Sequence, residues 1–168
     1  MQEEFASYTP EMQREVEDFV SDLEVECNSD KPINESTPEE IRRAREAGEG
    51  RNPLPILSDA AIVREIEAPH GKVPVRAFIP SDEIRGVYFH IHGGGWVLGR
   101  AHHRDPVLVE ILEECGAAVI SVDYRLAPEY PYPAAQDDCE AVAFWIMNNS
   151  EDELGTDKIV IGGESAGA

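Results

Sequence analysis

A chain of 168 residues with 42% apolar content is long enough for one domain with a real core. Its 34 acidic against 14 basic residues leave a net charge of −20, which argues against nucleic acid and anionic membrane surfaces, because both need clustered lysine and arginine. No apolar run reaches the roughly 18 residues of a membrane span, and the opening Met1-Gln2-Glu3-Glu4 lacks the basic stretch and apolar core of a secretory leader.

The first 50 residues hold 15 acidic and 5 basic side chains, half of the excess charge, and read as a solvated acidic face in preference to a docking surface. Many acids beside only three lysines (Lys31, Lys72, Lys158) suit a salt-adapted host. Within this region Met12, Val16, Phe19, Val20 and Leu23 recur at helical spacing, predicting a helix over 11–25. A second helix is signalled by Thr37 as cap, Pro38 in the first turn and Glu40 closing a capping box, and it ends at Gly48-Glu49-Gly50. Residues 51–55, Arg-Asn-Pro-Leu-Pro, read as a linker, so a helical segment over 1–54 precedes a domain over 55–168.

After Pro55 the rhythm changes. Residues 61–68 and 72–79 predict two strands joined by Pro69-His70-Gly71, and 86–91 a third, more fully apolar. Residues 105–115 suit a helix with Val107, Leu108, Ile111 and Leu112 inward. A buried strand follows at 117–122, then a helix at 134–148 with Cys139, Val142, Ala143 and Ile146 on one side, then a short strand at 158–161. Strands alternating with helices predict an α/β fold with a mostly parallel sheet covered on both faces. Cys27, Cys115 and Cys139 are odd in number and have no metal-ligand spacing. The last two fall in helical segments and are expected as buried free thiols, which suits a reducing cytoplasm.

Three segments carry chemistry. Gly163-Glu164-Ser165-Ala166-Gly167 follows a strand directly, the context in which a G-x-S-x-G serine sits on a tight strand-to-helix turn with its hydroxyl above the sheet. His92-Gly93-Gly94-Gly95-Trp96 also follows a strand, and its glycines let backbone amides approach a ligand atom closely. Acyl transfer needs such donors for the oxyanion of its tetrahedral intermediate, each worth about 3 kcal/mol in the transition state. The amides of Gly94 and Gly95, with that of Ala166 after the serine, are the expected oxyanion hole, while His92 and Gly93 shape the loop. A phosphate-binding loop is the weaker reading, because the lysine of a P-loop and the spacing of a dinucleotide fingerprint are both missing. His92 as the catalytic base is weaker too, since a histidine fixed beside the loop is better placed to hold its shape. The third segment, Asp123-Tyr124-Arg125-Leu126-Ala127-Pro128-Glu129, reads as a structured turn within which Arg125 and Glu129 could pair.

In this order and spacing, these segments, with Pro133-Ala134-Ala135, resemble the hormone-sensitive-lipase-like family of carboxylesterases within the α/β-hydrolase fold, from about residue 55 onward. The acidic helical segment looks like the first part of that family's cap by position and character. The resemblance implies hydrolysis of short- to medium-chain carboxylic esters by Ser165 through an acyl-enzyme, with no metal or organic cofactor. It also implies an acid and a histidine after the serine in chain order. Trp96 stands where the family has an aromatic residue, near the acyl or alcohol pocket or simply in the core.

All five histidines (His70, His90, His92, His102, His103) precede Ser165, and only three residues follow it. The expectation is therefore the N-terminal part of an esterase, without its general base, inactive and prone to aggregate alone. His102 and His103, just past the glycine loop, are poor substitutes for that base. A second reading is a small-ligand receptor on the same fold that has lost the catalytic histidine; a third is a non-functional truncated product.

Overall fold

A computed structural model describes residues 9–29, 31–50 and 52–168; the opening Met1-Gln2-Glu3-Glu4 and Arg51 of the expected linker lie outside the described residues. The chain divides into two compact units, Met1–Leu54 and Pro55–Ala168.

The first unit carries two helices. In α1 (Pro10–Ser29) the Met12 amide donates to Thr9 Oγ1 at 3.2 Å, and the apolar stripe of Met12, Val16, Phe19, Val20 and Leu23 is exposed. In α2 (Pro38–Ala47) the Glu40 amide donates to Thr37 Oγ1 at 3.2 Å, and Glu40 Oε2 accepts the Thr37 amide at 2.9 Å. Gly48, in the left-handed region at φ +65°, ends the helix. This is the reciprocal capping box expected from Thr37-Pro38-Glu39-Glu40.

The second unit is built on a five-stranded sheet of β1 (Ile62–Ala68), β2 (Gly71–Phe78), β3 (Val87–Ile91), β4 (Ala118–Val122) and β5 (Ile159–Gly163), in the order β1-β2-β4-β3-β5. β2 is antiparallel to both of its neighbours, whereas β4, β3 and β5 are mutually parallel. Four strands thus run one way and β2 alone is reversed. The reversal needs only the tight connection from Ala68 to Gly71, while the parallel strands need the crossover helices α3 (Asp105–Cys115) and α4 (Ala134–Leu154).

Alternation along the strands sorts the core into two faces. Val87 and Phe89 of β3 and Ile120 and Val122 of β4 pack with Val142 and Ile146 of α4. Tyr88 and Val119 point the other way, into a cluster with Phe78 and Leu108 of α3. Every residue of the central strand β4 is buried, so both faces are covered there. At the far edge, β5 pairs with β3, and its Val160 and Ile161 are exposed. No helix among the described residues is long and apolar enough to cross a membrane.

Three local expectations are corrected. Val107 is exposed, because the phase of α3 is set by Asp105. That carboxylate is fully buried, accepts Arg76 Nε at 2.6 Å and the Ser58 amide at 2.8 Å, and turns Leu108 and Val109 inward with it. Cys115 lies exposed in the last turn of α3, while Cys139 is half-buried and its thiol is pushed up to about 12 by burial. Helix α4 runs six residues past the expected Asn148, through a polar stretch with no apolar period to reveal it.

Candidate active site

Because β3, β4 and β5 are parallel neighbours, the segments leaving their carboxyl ends lie along one edge of the sheet. Those segments are the glycine loop after β3, the Asp123–Glu129 turn after β4 and the serine turn after β5.

Ser165 adopts φ +55°, a left-handed conformation rarely held by a residue with a side chain and costing of order 1 kcal/mol. The flanking glycines are sterically required. A Cβ on Gly163 would collide with the carbonyl oxygens of Ile91 and Gly167, and one on Gly167 with that of Ile91. The chain turns at once into a single 3-10 turn, Ser165–Gly167, leaving Ser165 exposed and its hydroxyl without a hydrogen-bond partner among the described residues.

The glycine loop lies against this turn. A Cβ on Gly93 would stand 2.7 Å from the Glu164 carbonyl oxygen and 3.3 Å from Ser165 Cβ. Gly94 (φ +128°) accepts the amides of Val97 and Leu98 at 3.2 and 2.8 Å, closing a tight turn around backbone angles that only glycine takes readily. Among the described residues, the amides of Gly94, Gly95 and Ala166 meet no acceptor. Trp96 is half-exposed, and its carbonyl accepts the Ala127 amide at 2.9 Å.

His92 is only 2% exposed, with its ring stacked on Tyr124 at 4.1 Å between centroids. Its Nδ1 lies 2.8 Å from the Gly93 carbonyl oxygen, so Nδ1 carries the proton and the buried Nε2 is bare. Burial pushes its pKa down to about 4, and the neutral imidazole acts as a packed brace under the loop. The Tyr124 hydroxyl, its pKa raised by burial, donates to the His92 carbonyl at 2.8 Å. His102 and His103 sit half-buried in the 3-10 helix Ala101–Arg104, with their rings edge to face at 4.6 Å.

Arg125 engages Asp138 of α4: its Nη2 lies 2.9 Å and its Nε 3.0 Å from that carboxylate, which also accepts the Arg125 amide at 2.8 Å. His70, in the β1–β2 turn, reaches the same carboxylate at 2.7 Å. The turn after β4 is therefore anchored by a buried charge cluster spanning three elements.

Residues 88–168 match a family described as alpha/beta hydrolase fold. The chain is 45% identical over 100 residues to the carboxylesterase NlhH of Mycobacterium tuberculosis, an alignment spanning 56% of this chain and 31% of that protein. It is 41% identical over 99 residues to an arylesterase of Saccharolobus solfataricus, spanning 57% and 32%. Among solved structures, an esterase of Pyrobaculum calidifontis superposes with a TM-score of 0.70 at 32% identity, over 83% of this chain and 47% of the esterase. The chain has the α/β-hydrolase fold, and the match bears out its resemblance to the hormone-sensitive-lipase-like family. It spans about a third of the length of the curated relatives it matches and under half of that solved hydrolase.

Within this α/β-hydrolase frame, sequence reasoning passed over Glu164 and His90. Glu164 fills the unspecified second place of G-x-S-x-G, yet its Oε1 accepts Arg104 Nε at 2.7 Å and the Gly93 amide at 3.1 Å, and its Oε2 faces His90 Nε2 at 2.9 Å. Burial by itself would raise this carboxyl, but Arg104, the Gly93 amide and His90 outweigh it and hold the pKa at about 2. The available signal was the oddity itself, an acid placed directly beside the serine of the G-x-S-x-G turn.

Proposed function

We propose that the whole protein hydrolyses carboxylic esters of short- to medium-chain acids, with Ser165 as nucleophile and the amides of Gly94, Gly95 and Ala166 as the oxyanion hole. One observation carries the reading: Ser165 is held in a left-handed conformation between two sterically required glycines, directly against the glycine loop. A strained serine persists only where its surroundings over-determine it, and such strain gathers at reactive sites. The esterases among the relatives and the solved structures support the substrate class.

In this reading Ser165 Oγ attacks the ester carbonyl as a base removes its proton. The tetrahedral oxyanion is held by the three amides, and its collapse expels the alcohol, which receives the proton. Water then cleaves the acyl-enzyme and regenerates the serine. By resemblance, the base is a histidine oriented by an acid, both supplied by residues after Ser165. The chemistry calls for no cofactor. His92 and Gly93 shape the loop, and residues 1–54 resemble the first part of the family's cap by position and character.

The test is hydrolysis of p-nitrophenyl acetate, butyrate and octanoate by the whole protein. Ser165→Ala is expected to lower kcat/KM by at least about a thousandfold, and a fluorophosphonate is expected to label Ser165. Turnover that survives Ser165→Ala refutes the nucleophile assignment. A protein that turns over none of these esters and takes no label is better read as a receptor on the same fold.

A further inference from the structure

We propose that Glu164 is a positioning residue that clamps the glycine loop to the serine turn and thereby sets the oxyanion amides. The inference rests on the esterase reading above and extends it to a residue outside the nucleophile and its amides.

The geometry is a three-way clamp. Glu164 immediately precedes Ser165 in the chain, and its carboxylate gathers donors from three separate elements: the Gly93 amide of the loop, Arg104 at the end of the 3-10 helix Ala101–Arg104, and His90 on β3. Behind it, His90 Nδ1 faces Ser121 Oγ on β4 at 2.8 Å, so the clamp is braced by the two central parallel strands. The amide that Glu164 occupies is the one just before the two loop amides that have no acceptor among the described residues. Holding Gly93 fixes where the next two peptide planes begin. A displacement of about 1 Å there is enough to cost around a hundredfold in rate.

Charge makes the clamp two-sided. An isolated carboxylate one residue from the nucleophile would oppose the oxyanion that the reaction creates. Arg104 and the Gly93 amide, both on Oε1, compensate it, with His90 on Oε2. Glu164 therefore helps only while its partners are in place, and removal of Arg104 leaves the anion facing the site. The two side chains should act as one unit, with effects that do not add.

In the whole protein, kcat and KM for p-nitrophenyl butyrate are measured per active site, counted by fluorophosphonate titration. Glu164→Gln keeps the shape and removes the charge; it is expected to lower kcat about 10- to 100-fold with KM moved less than about threefold. The Ki of a trifluoromethyl ketone, whose serine adduct carries the oxyanion, should rise in step with the fall in kcat/KM. Arg104→Met should lower kcat as well, and the double variant should be no worse than Glu164→Gln alone. Glu164→Asp restores the anion on a shorter stem and should recover part of the rate. A Glu164→Gln enzyme with near-normal kcat per titrated site, or with merely fewer titrated sites, overturns the inference, and so does strict additivity with Arg104→Met. Activity that survives Ser165→Ala overturns the esterase reading together with this inference. An inactive Ser165→Ala beside an unimpaired Glu164→Gln overturns this inference alone.

Discussion

Asp138 and Glu164 both gather loop amides and cationic side chains at the carboxyl edge of the sheet, yet they differ in setting. The Asp138 side chain is 1% exposed and joins α4, the β1–β2 turn and the turn after β4. The Glu164 side chain is 34% exposed and joins β3, the glycine loop and the serine turn. A buried charge with every oxygen engaged is costly to unpair, so Asp138 is tied to the stability of the fold. A half-exposed charge can be rescued by water when its partners go, so Glu164 bears more on the geometry of the loop than on whether the unit folds. The first break in this comparison is Asp138→Asn. The amide cannot match the Arg125 guanidinium, and unfolding free energy should fall by about 4 kcal/mol. Urea denaturation of the whole protein would show it as a lower midpoint. A shift below about 1 kcal/mol would put Asp138 in the same class as Glu164.

Much of this arrangement is legible in the sequence, and the reason is local. Capping residues, apolar period and glycine breaks are short-range signals, so α2, β4 and the start of α4 fell where Thr37, the apolar run before Val122 and Pro133-Ala134-Ala135 put them. The helix phase at Val107 was missed because it depends on a buried ion pair between Asp105 and Arg76, 29 residues apart. The partners of Glu164 on β3 and the glycine loop lie 74 and 71 residues away, beyond any periodicity argument. The turn itself offers Arg125 the nearby Glu129, and the fold adds Asp138 from the following helix, 13 residues on. The reversed strand β2 is the corresponding miss in topology, since a hairpin signal at Pro69-His70-Gly71 says nothing about how β2 then meets β4.

His92 links the two carboxylate clusters. Its ring stacks on Tyr124, next to the Arg125 held by Asp138, and its Nδ1–H donates to the carbonyl of the Gly93 held by Glu164. Its pKa falls from 6.5 to about 4 on folding. The unfolded chain therefore binds the extra proton between those values. The His92 contribution is complete above pH 6.5 and is lost as pH falls toward 4, at a cost of about 3 kcal/mol over that window. Glu164, with a pKa lowered from 4.5 to about 2, acts in a different window: its contribution is complete above pH 4.5 and is lost as pH falls through 2. Urea midpoints measured from pH 7 to pH 4 should decline in the parent protein, and His92→Gln should flatten that decline while lowering the midpoint at pH 7. An unchanged slope in the variant would show that the link between the clusters is not protonated on unfolding.

Glu40 also accepts a backbone amide, this time at the surface of the first unit, and it marks the weak end of the comparison. It shares its capping box with Thr37 and a surface ion pair with Lys31 at 3.1 Å, in a setting where water competes for every contact. Thr37→Ala removes the acceptor for the Glu40 amide and should cost about 1 kcal/mol, confined to α2. Amide hydrogen exchange reads this directly. The amides of Glu40 and Ile41 should exchange about fivefold faster, a factor equal to that free energy, while the amides of β4 stay unchanged. Exchange that also quickens in β4 would mean that a cap on an exposed helix is coupled to the sheet. Protection lost at Glu40 and Ile41 alone would place the three carboxylates in the order of their burial, with Asp138 first, Glu164 next and Glu40 last.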